Sequence, residues 1–146
     1  MSDINEAMIF AAGFGKRMRP LTKEVPKPLL KVNGKPIIFY IIEDLINLNF
    51  KNIVINTHHL PDKFHDELKP YSRTIKIVFE EEILDTGGGF LNAIKRNYFY
   101  NLKSPKVLIN GDVLWKKTAN SPIKNILRNW NEEKMDLLLC LIKKRY

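Results

Sequence analysis

The residues with the most chemistry to offer fall in one stretch. It reads Ala11-Ala12-Gly13-Phe14-Gly15-Lys16-Arg17-Met18-Arg19-Pro20-Leu21-Thr22, with Pro26-Lys27-Pro28 close behind. Glycines after a strand let a backbone approach a phosphate, and their N–H groups point at it. Arg17 offers a planar fork for phosphate oxygens. Lys27 is a compact point charge held between two prolines, suited to a phosphate whose negative charge grows in a transition state. Two familiar phosphate loops do not fit. A P-loop needs Gly-x-x-x-x-Gly-Lys-Ser/Thr, which does not follow Gly13, and a dinucleotide fingerprint needs a third glycine where Met18 stands. The segment is a phosphate loop of another kind.

Two more motifs carry polar chemistry. Leu84-Asp85-Thr86-Gly87-Gly88-Gly89 stands before an expected helix. Three glycines permit close approach to a flat ligand, and a helix start offers free N–H donors; the plainer alternative is a flexible turn. Ile109-Asn110-Gly111-Asp112 ends an expected strand. A carboxylate there can reach a metal in the crevice of an open α/β sheet, and Mg²⁺ prefers such oxygen ligands; the alternative is a Gly-Asp turn. His58 and His59 are adjacent, so a strand would point them opposite ways, and a surface or helix-capping role is expected. Glu80-Glu81-Glu82 reads as a solvated charge run, or as a source of one acid, such as Glu82, near a ligand's base. Cys140, on an apolar run, is expected to be a buried thiol.

The apolar pattern supplies elements to hold these motifs. Ala7–Ala12 is a continuous apolar run stopped by Gly13-Phe14-Gly15, as for a buried strand feeding a glycine loop. Gly34-Lys35-Pro36 is turn chemistry, and Pro36 suits the first turn of a helix over Ile37–Leu48. Strands are expected over Asn52–Asn56, Thr74–Phe79 and Lys106–Ile109, and helices over Pro61–Leu68, Phe90–Arg96 and Pro122–Trp130. Asp136–Ile142 reads as a fifth strand, almost wholly apolar, like one covered on both faces. Little chain follows to cover it. Either further sequence continues the sheet or the strand is an edge beneath existing helices. Alternating strands and helices argue for an α/β fold with a mostly parallel sheet. No repeat, linker or low-complexity stretch interrupts residues 1–146, which read as one domain.

Composition narrows the class. The chain has 146 residues, 45% apolar and 27% charged, enough to bury a core and too apolar for disorder. No apolar run approaches the roughly 20 residues of a membrane helix. The opening Met1-Ser2-Asp3-Ile4-Asn5-Glu6 is acidic where a secretory signal would be basic. One cysteine cannot form an internal disulfide. A cytoplasmic setting and no membrane partner are expected. The net charge of +8 invites a nucleic-acid reading. However, Lys16, Arg17, Arg19, Lys23, Lys27, Lys31 and Lys35 face one acid, Glu24, so +6 of that excess lies between Gly13 and Pro36. Such concentration points to one anionic ligand and away from nucleic acid.

Taken together, the strand, Ala-Ala-Gly-x-Gly-x-Arg-x-x-Pro-x-Thr and the following Pro-Lys resemble the signature of the sugar-1-phosphate nucleotidyltransferases. The Leu-Asp-Thr-Gly-Gly-Gly form is most similar to the branch acting on N-acetylmuramate 1-phosphate with UTP; Val54–Leu60 and Trp115 have the same character. The resemblance runs from about Ala7 to Leu141. It implies a Rossmann-like, GT-A-like nucleotidyltransferase fold with helices on both sheet faces, incomplete at the C-terminus. It implies a nucleoside triphosphate and a sugar 1-phosphate as partners, giving a nucleotide sugar and pyrophosphate. Carried over residue by residue, Arg17 would contact the β- and γ-phosphates and Lys27 the α-phosphate. Ala11, Ala12, Gly13 and Gly15 would line the nucleotide, with Thr86, Gly87 and Gly88 against its base and ribose. Asn110 would face the sugar phosphate and Asp112 would bind Mg²⁺. Complete members have a second aspartate on that ion, and no candidate for it follows Asp136. Self-association or a complementing C-terminal chain is therefore expected. The alternatives on the same fold are an inactive remnant, a nucleotide-binding module needing a partner chain, and a guanylyl- or thymidylyltransferase.

Overall fold

The first apolar run becomes an inner strand because side chains cover both of its faces. It is β1 (Glu6–Phe10), buried along nearly its whole length. The computed structural model describes residues 4–115 and 121–141. After β1 and a loop of short 3-10 turns comes a small hairpin, β2 (Lys31–Val32) and β3 (Lys35–Pro36). Asn33 and Gly34 at its tip have φ of 50° and 77°, the left-handed pair that a tight hairpin turn requires. Then follow α1 (Ile37–Asn47), β4 (Asn52–Thr57), α2 (Pro61–Leu68), β5 (Ile75–Phe79), α3 (Asp85–Lys95), β6 (Val107–Asn110) and α4 (Pro122–Asn129).

The main sheet is parallel throughout, in the order β5-β4-β1-β6. The chain walks outward from β1 to β5, then returns to the other side of β1 with β6. An open sheet of this kind binds ligands in the crevice where that order reverses, beyond the C-terminal strand ends. Register makes the crevice level: Phe10 stands opposite Asn56 on one side and Asn110 on the other. Alternation does the rest. Ala7, Ile9, Ile53 and Ile55 pack with Ile38, Ile41, Ile42 and Leu45 of α1, Phe64 of α2 and Ile123 of α4. Met8, Val54 and Val78 point the other way, against Ala93 of α3 and Phe99. Helices thus cover both faces, as expected for an α/β sheet.

Three expectations fail. The triple glycine is not a loop before a helix, because Gly87, Gly88 and Gly89 lie inside α3. The run from Asp136 does not form a strand over its described residues, and Ile142 lies outside them. A strand needs a neighbour to satisfy its backbone, and none among the described residues pairs with this run. Leu137, Leu139 and Leu141 are exposed, and so is the Cys140 thiol that was expected to be buried.

At the N-terminal end of the sheet, Glu6 is buried with 2% exposure. Its carboxylate accepts from Asn52 Nδ2 at 2.7 Å, Tyr100 N–H at 2.8 Å and Asn101 N–H at 3.2 Å, and pairs with Lys106 Nζ at 3.3 Å. Burial alone would raise its pKa. The donors from Tyr100, Asn52, Asn101 and Lys106 outweigh burial and hold the carboxyl below its ordinary 4.5. A depressed native pKa contributes stability that is complete above the unfolded value and lost as pH falls through the folded one. Glu6→Gln is therefore expected to cost about 1.5–3 kcal/mol in urea unfolding at neutral pH. It should also reduce the loss of stability below pH 4.5, the reference value that Glu6 departs from.

Candidate functional site

A cleft of about 440 Å³ opens over the C-terminal ends of β1, β4 and β6. Its first wall is the loop after β1: Ala11, Ala12, Gly13, Gly15, Lys16 and Arg17 all line it. Local chemistry shapes that loop. Gly15 has φ +61°, and a Cβ there would lie 3.0 Å from Thr22 Cγ2 and 3.1 Å from Lys27 Cβ. Thr22 Oγ1 donates to the Gly15 carbonyl at 2.9 Å. Closing the loop in this way brings Lys27 back under it.

The two histidines secure the same loop. His59 Nε2–H donates to the Thr22 carbonyl at 3.0 Å, and His58 Nδ1–H donates to the Glu80 carbonyl at 2.9 Å. A carbonyl can only accept, which sets the tautomer of each ring. Phe14 packs against both rings, with centroids 5.3 and 5.6 Å away. Neither ring caps a helix, since α2 has no side-chain cap. The helix-capping expectation gives way because loop carbonyls nearer the sheet end claim both rings.

The second wall follows β6. Gly111 N–H donates to the Phe10 carbonyl at 2.8 Å, and a Cβ on Gly111 would stand 2.9 Å from that oxygen. Only glycine lets the chain cross so close, and the crossing sets Asp112 at the cleft. Asp112 Oδ2 forms an ion pair with Lys27 Nζ. Asn110 lines the cleft beside it. Of the seven basic residues in the loop segment, Lys16, Arg17 and Lys27 reach the cleft. Lys35 turns away to Glu43, at 2.6 Å, and to the Tyr40 ring.

The third wall is the start of α3. Asp85 and Thr86 line the cleft, whereas Gly87 and Gly88 do not. A Cβ on Gly87 would meet nothing within 4 Å; one on Gly88 would touch Leu84. Gly89 is different. Its Cβ would lie 2.7 Å from Glu80 Oε1 and 2.9 Å from Asn56 Nδ2. Those two side chains also line the cleft and were missed in the sequence. Asn56 had a usable signal, an amide directly after the apolar Ile53-Val54-Ile55 of β4. Glu80 had less, because it heads a run of three acids of which Glu81 and Glu82 are exposed.

The nucleotidyl transferase family matches residues 6–145, and the chain belongs to that family. The N-acetylmuramate alpha-1-phosphate uridylyltransferase of Caulobacter vibrioides is 32% identical over 141 residues, covering 92% of this chain and 57% of that one. The enzyme of the same name from Neisseria meningitidis is 41% identical over 113 residues, covering 75% of this chain and 47% of its own. The chain thus spans about half the length of these relatives. A crystal structure of apo UDP-glucose pyrophosphorylase matches with a TM-score of 0.72 and 21% identity, over 86% of this chain and 54% of that one. At that identity it supports the fold alone.

The glycines of α3 make opposite predictions. Gly87→Ala fills open space on a helix and is expected to stabilise by about 0.5–1 kcal/mol. Gly89→Ala forces the Glu80–Asn56 contact apart and is expected to destabilise by about 1–3 kcal/mol. Thermal unfolding of both variants checks the pair.

Proposed function

We propose that this chain, as one domain over residues 1–146, forms the nucleotide-binding half of a sugar-1-phosphate nucleotidyltransferase. Its substrates are UTP and N-acetylmuramate 1-phosphate; its products are the UDP-sugar and pyrophosphate. A sugar-phosphate oxygen attacks the α-phosphorus in line. A new P–O bond forms, the bond to the bridging oxygen of the β-phosphate breaks, and pyrophosphate leaves with that electron pair. No protein nucleophile takes part, so positioning and charge neutralisation carry the reaction.

The observation that carries this reading is the Lys27–Asp112 ion pair. A cation suited to an α-phosphate and an anion suited to a metal, 85 residues apart, meet beside the glycine loop. Similarity to two uridylyltransferases supports UTP as the nucleotide. Arg17 forks onto the β- and γ-phosphate oxygens. Lys27 leaves Asp112 for the α-phosphate as charge develops there. The loop from Ala11 to Gly15 lines the triphosphate, with the Ala11 N–H itself given to Asn56. Thr86, at the start of α3, receives the nucleoside, and Asn110 receives the sugar phosphate.

Among the described residues, no three His, Cys, Asp or Glu side chains gather into a metal cage. The exposed Asp112 carboxylate fits Mg²⁺ nonetheless, because that ion keeps its waters and is commonly held by one or two carboxylates with substrate phosphates. When bound it neutralises phosphate charge. The use of a nucleoside triphosphate suits a cytoplasmic setting.

Calorimetry of UTP with Mg²⁺ is the test. Saturable binding is expected, weakened about tenfold or more by Lys27→Ala or Arg17→Ala, each of which removes a charge-assisted contact. GTP and dTTP titrations decide the base. Lys27→Ala also frees Asp112, so Mn²⁺ added without nucleotide should bind this variant more tightly than the parent chain. Absence of saturable binding, or unchanged affinity in Lys27→Ala, overturns the reading.

A further inference from the structure

Strand β4 carries an asparagine at its first and at its next-to-last position, each donating to a buried glutamate. Asn52 serves Glu6, and Asn56 serves Glu80. The two glutamates are equally buried, at 2% exposure each. Their partners differ. Glu6 has a lysine counter-ion and lies at the far end of the sheet. Glu80 forms no ion pair among the described residues, and it lines the cleft. A buried carboxylate held only by neutral donors is costly to keep, and an apolar pair could close a plain sheet end.

The geometry around Glu80 is continuous. β1 ends at Phe10, and the next N–H, of Ala11, donates to Asn56 Oδ1 at 2.9 Å. Asn56 Nδ2 donates to Glu80 Oε1 at 2.8 Å. Glu80 Oε2 accepts from Leu84 N–H at 3.3 Å, one residue before α3. Gly89 keeps the helix pressed onto this pair, since any side chain there would collide with both. The backbone of Glu80 is held too, its N–H by Thr57 and its carbonyl by His58. One chain of hydrogen bonds therefore runs from the first N–H of the phosphate loop to the start of the helix across the cleft.

We infer that Asn56 and Glu80 are positioning residues that lock the phosphate loop and the start of α3 into one frame, so that the phosphate and nucleoside ends of a nucleotide are seated together. The inference rests on the nucleotide reading above. Neither residue needs to touch the reacting atoms. Their work is to keep the Ala11 N–H and the first turn of α3 at fixed separation.

Exchanging the two functional groups tests this. In Asn56→Asp the amide donor is lost and two carboxyl groups face each other. In Glu80→Gln a donor faces a donor, at Asn56 or at Leu84. In the double variant every bond can re-form. The new carboxylate at position 56 accepts from Ala11 N–H and from the new amide at position 80, whose oxygen accepts from Leu84 N–H. Two readouts are needed: amide hydrogen exchange at Ala11 and Leu84 without nucleotide, and UTP affinity with Mg²⁺. Glu80→Gln should speed exchange at Ala11, which its side chain does not touch, by about tenfold, and weaken UTP by a similar factor. The double variant should recover both to within about threefold.

The inference falls if Glu80→Gln leaves Ala11 exchange unchanged. It falls equally if a folded double variant recovers neither readout, or if UTP affinity ignores a change in exchange. Should Asn56→Asp not fold, recovery of folding on adding Glu80→Gln is the same test. If the parent chain does not bind UTP, the nucleotide reading fails instead, and exchange at Ala11 still decides whether the frame exists.

Discussion

Strand β1 stops at Phe10 in the middle of the sheet, level with Asn56 and Asn110 on its neighbours. Past that level the ladder offers no partners, yet the backbone is still buried and its polar groups must be paired. Two substitutes meet the need. The Phe10 carbonyl takes the N–H of Gly111, and the Ala11 N–H goes to the side chain of Asn56. The first bond pulls the turn after β6 across the end of β1 and brings Asp112 with it. The second ties the glycine loop to β4 and, through Glu80, to α3. The walls of the cleft follow from how the buried backbone is paired once the central strand β1 ends.

Charge follows the same logic. Most of the positive excess lies between Gly13 and Pro36, but the fold divides it. Lys27 is held by Asp112 and Lys35 by Glu43; of the three cations at the cleft, Lys16 and Arg17 form no ion pair among the described residues. Both ends of the sheet hold a buried carboxylate supported by an asparagine of β4. The end away from the cleft adds a lysine and closes; the end at the cleft has neutral donors and stays open. A parallel sheet gathers its loops at its C-terminal edge, so the two ends can carry different tasks.

The sequence could be read well wherever a local rule acts alone. The apolar runs marked four parallel strands because such strands are buried on both faces. Pro36 marked a helix start, because φ restrictions act within one or two residues; the turn expected at Gly34-Lys35-Pro36 falls earlier, at Asn33-Gly34, with Lys35 and Pro36 in β3. Reading went astray where a local signal served a distant partner. Three glycines looked like a loop; they lie within a helix whose close approach leaves no room for a Cβ at Gly89. An apolar run from Asp136 looked like a strand; no strand forms in its described part, because pairing is a property of two segments. The adjacent histidines looked like surface or capping residues; they hold loop carbonyls 22 and 37 residues away.

The residue types suited to phosphate, the basic concentration around them and the alternation of strands and helices are matters of residue type and spacing in the chain itself. The meeting of Lys27 with Asp112, the relay from Ala11 through Asn56 and Glu80 to Leu84, and the exclusion of Gly87 and Gly88 from the cleft wall were decided by tertiary structure. The reason is one of range. Conformational preference and apolar periodicity act between neighbours in sequence. A hydrogen bond or ion pair between residues tens of positions apart exists only once the register of the parallel strands has set their ends side by side.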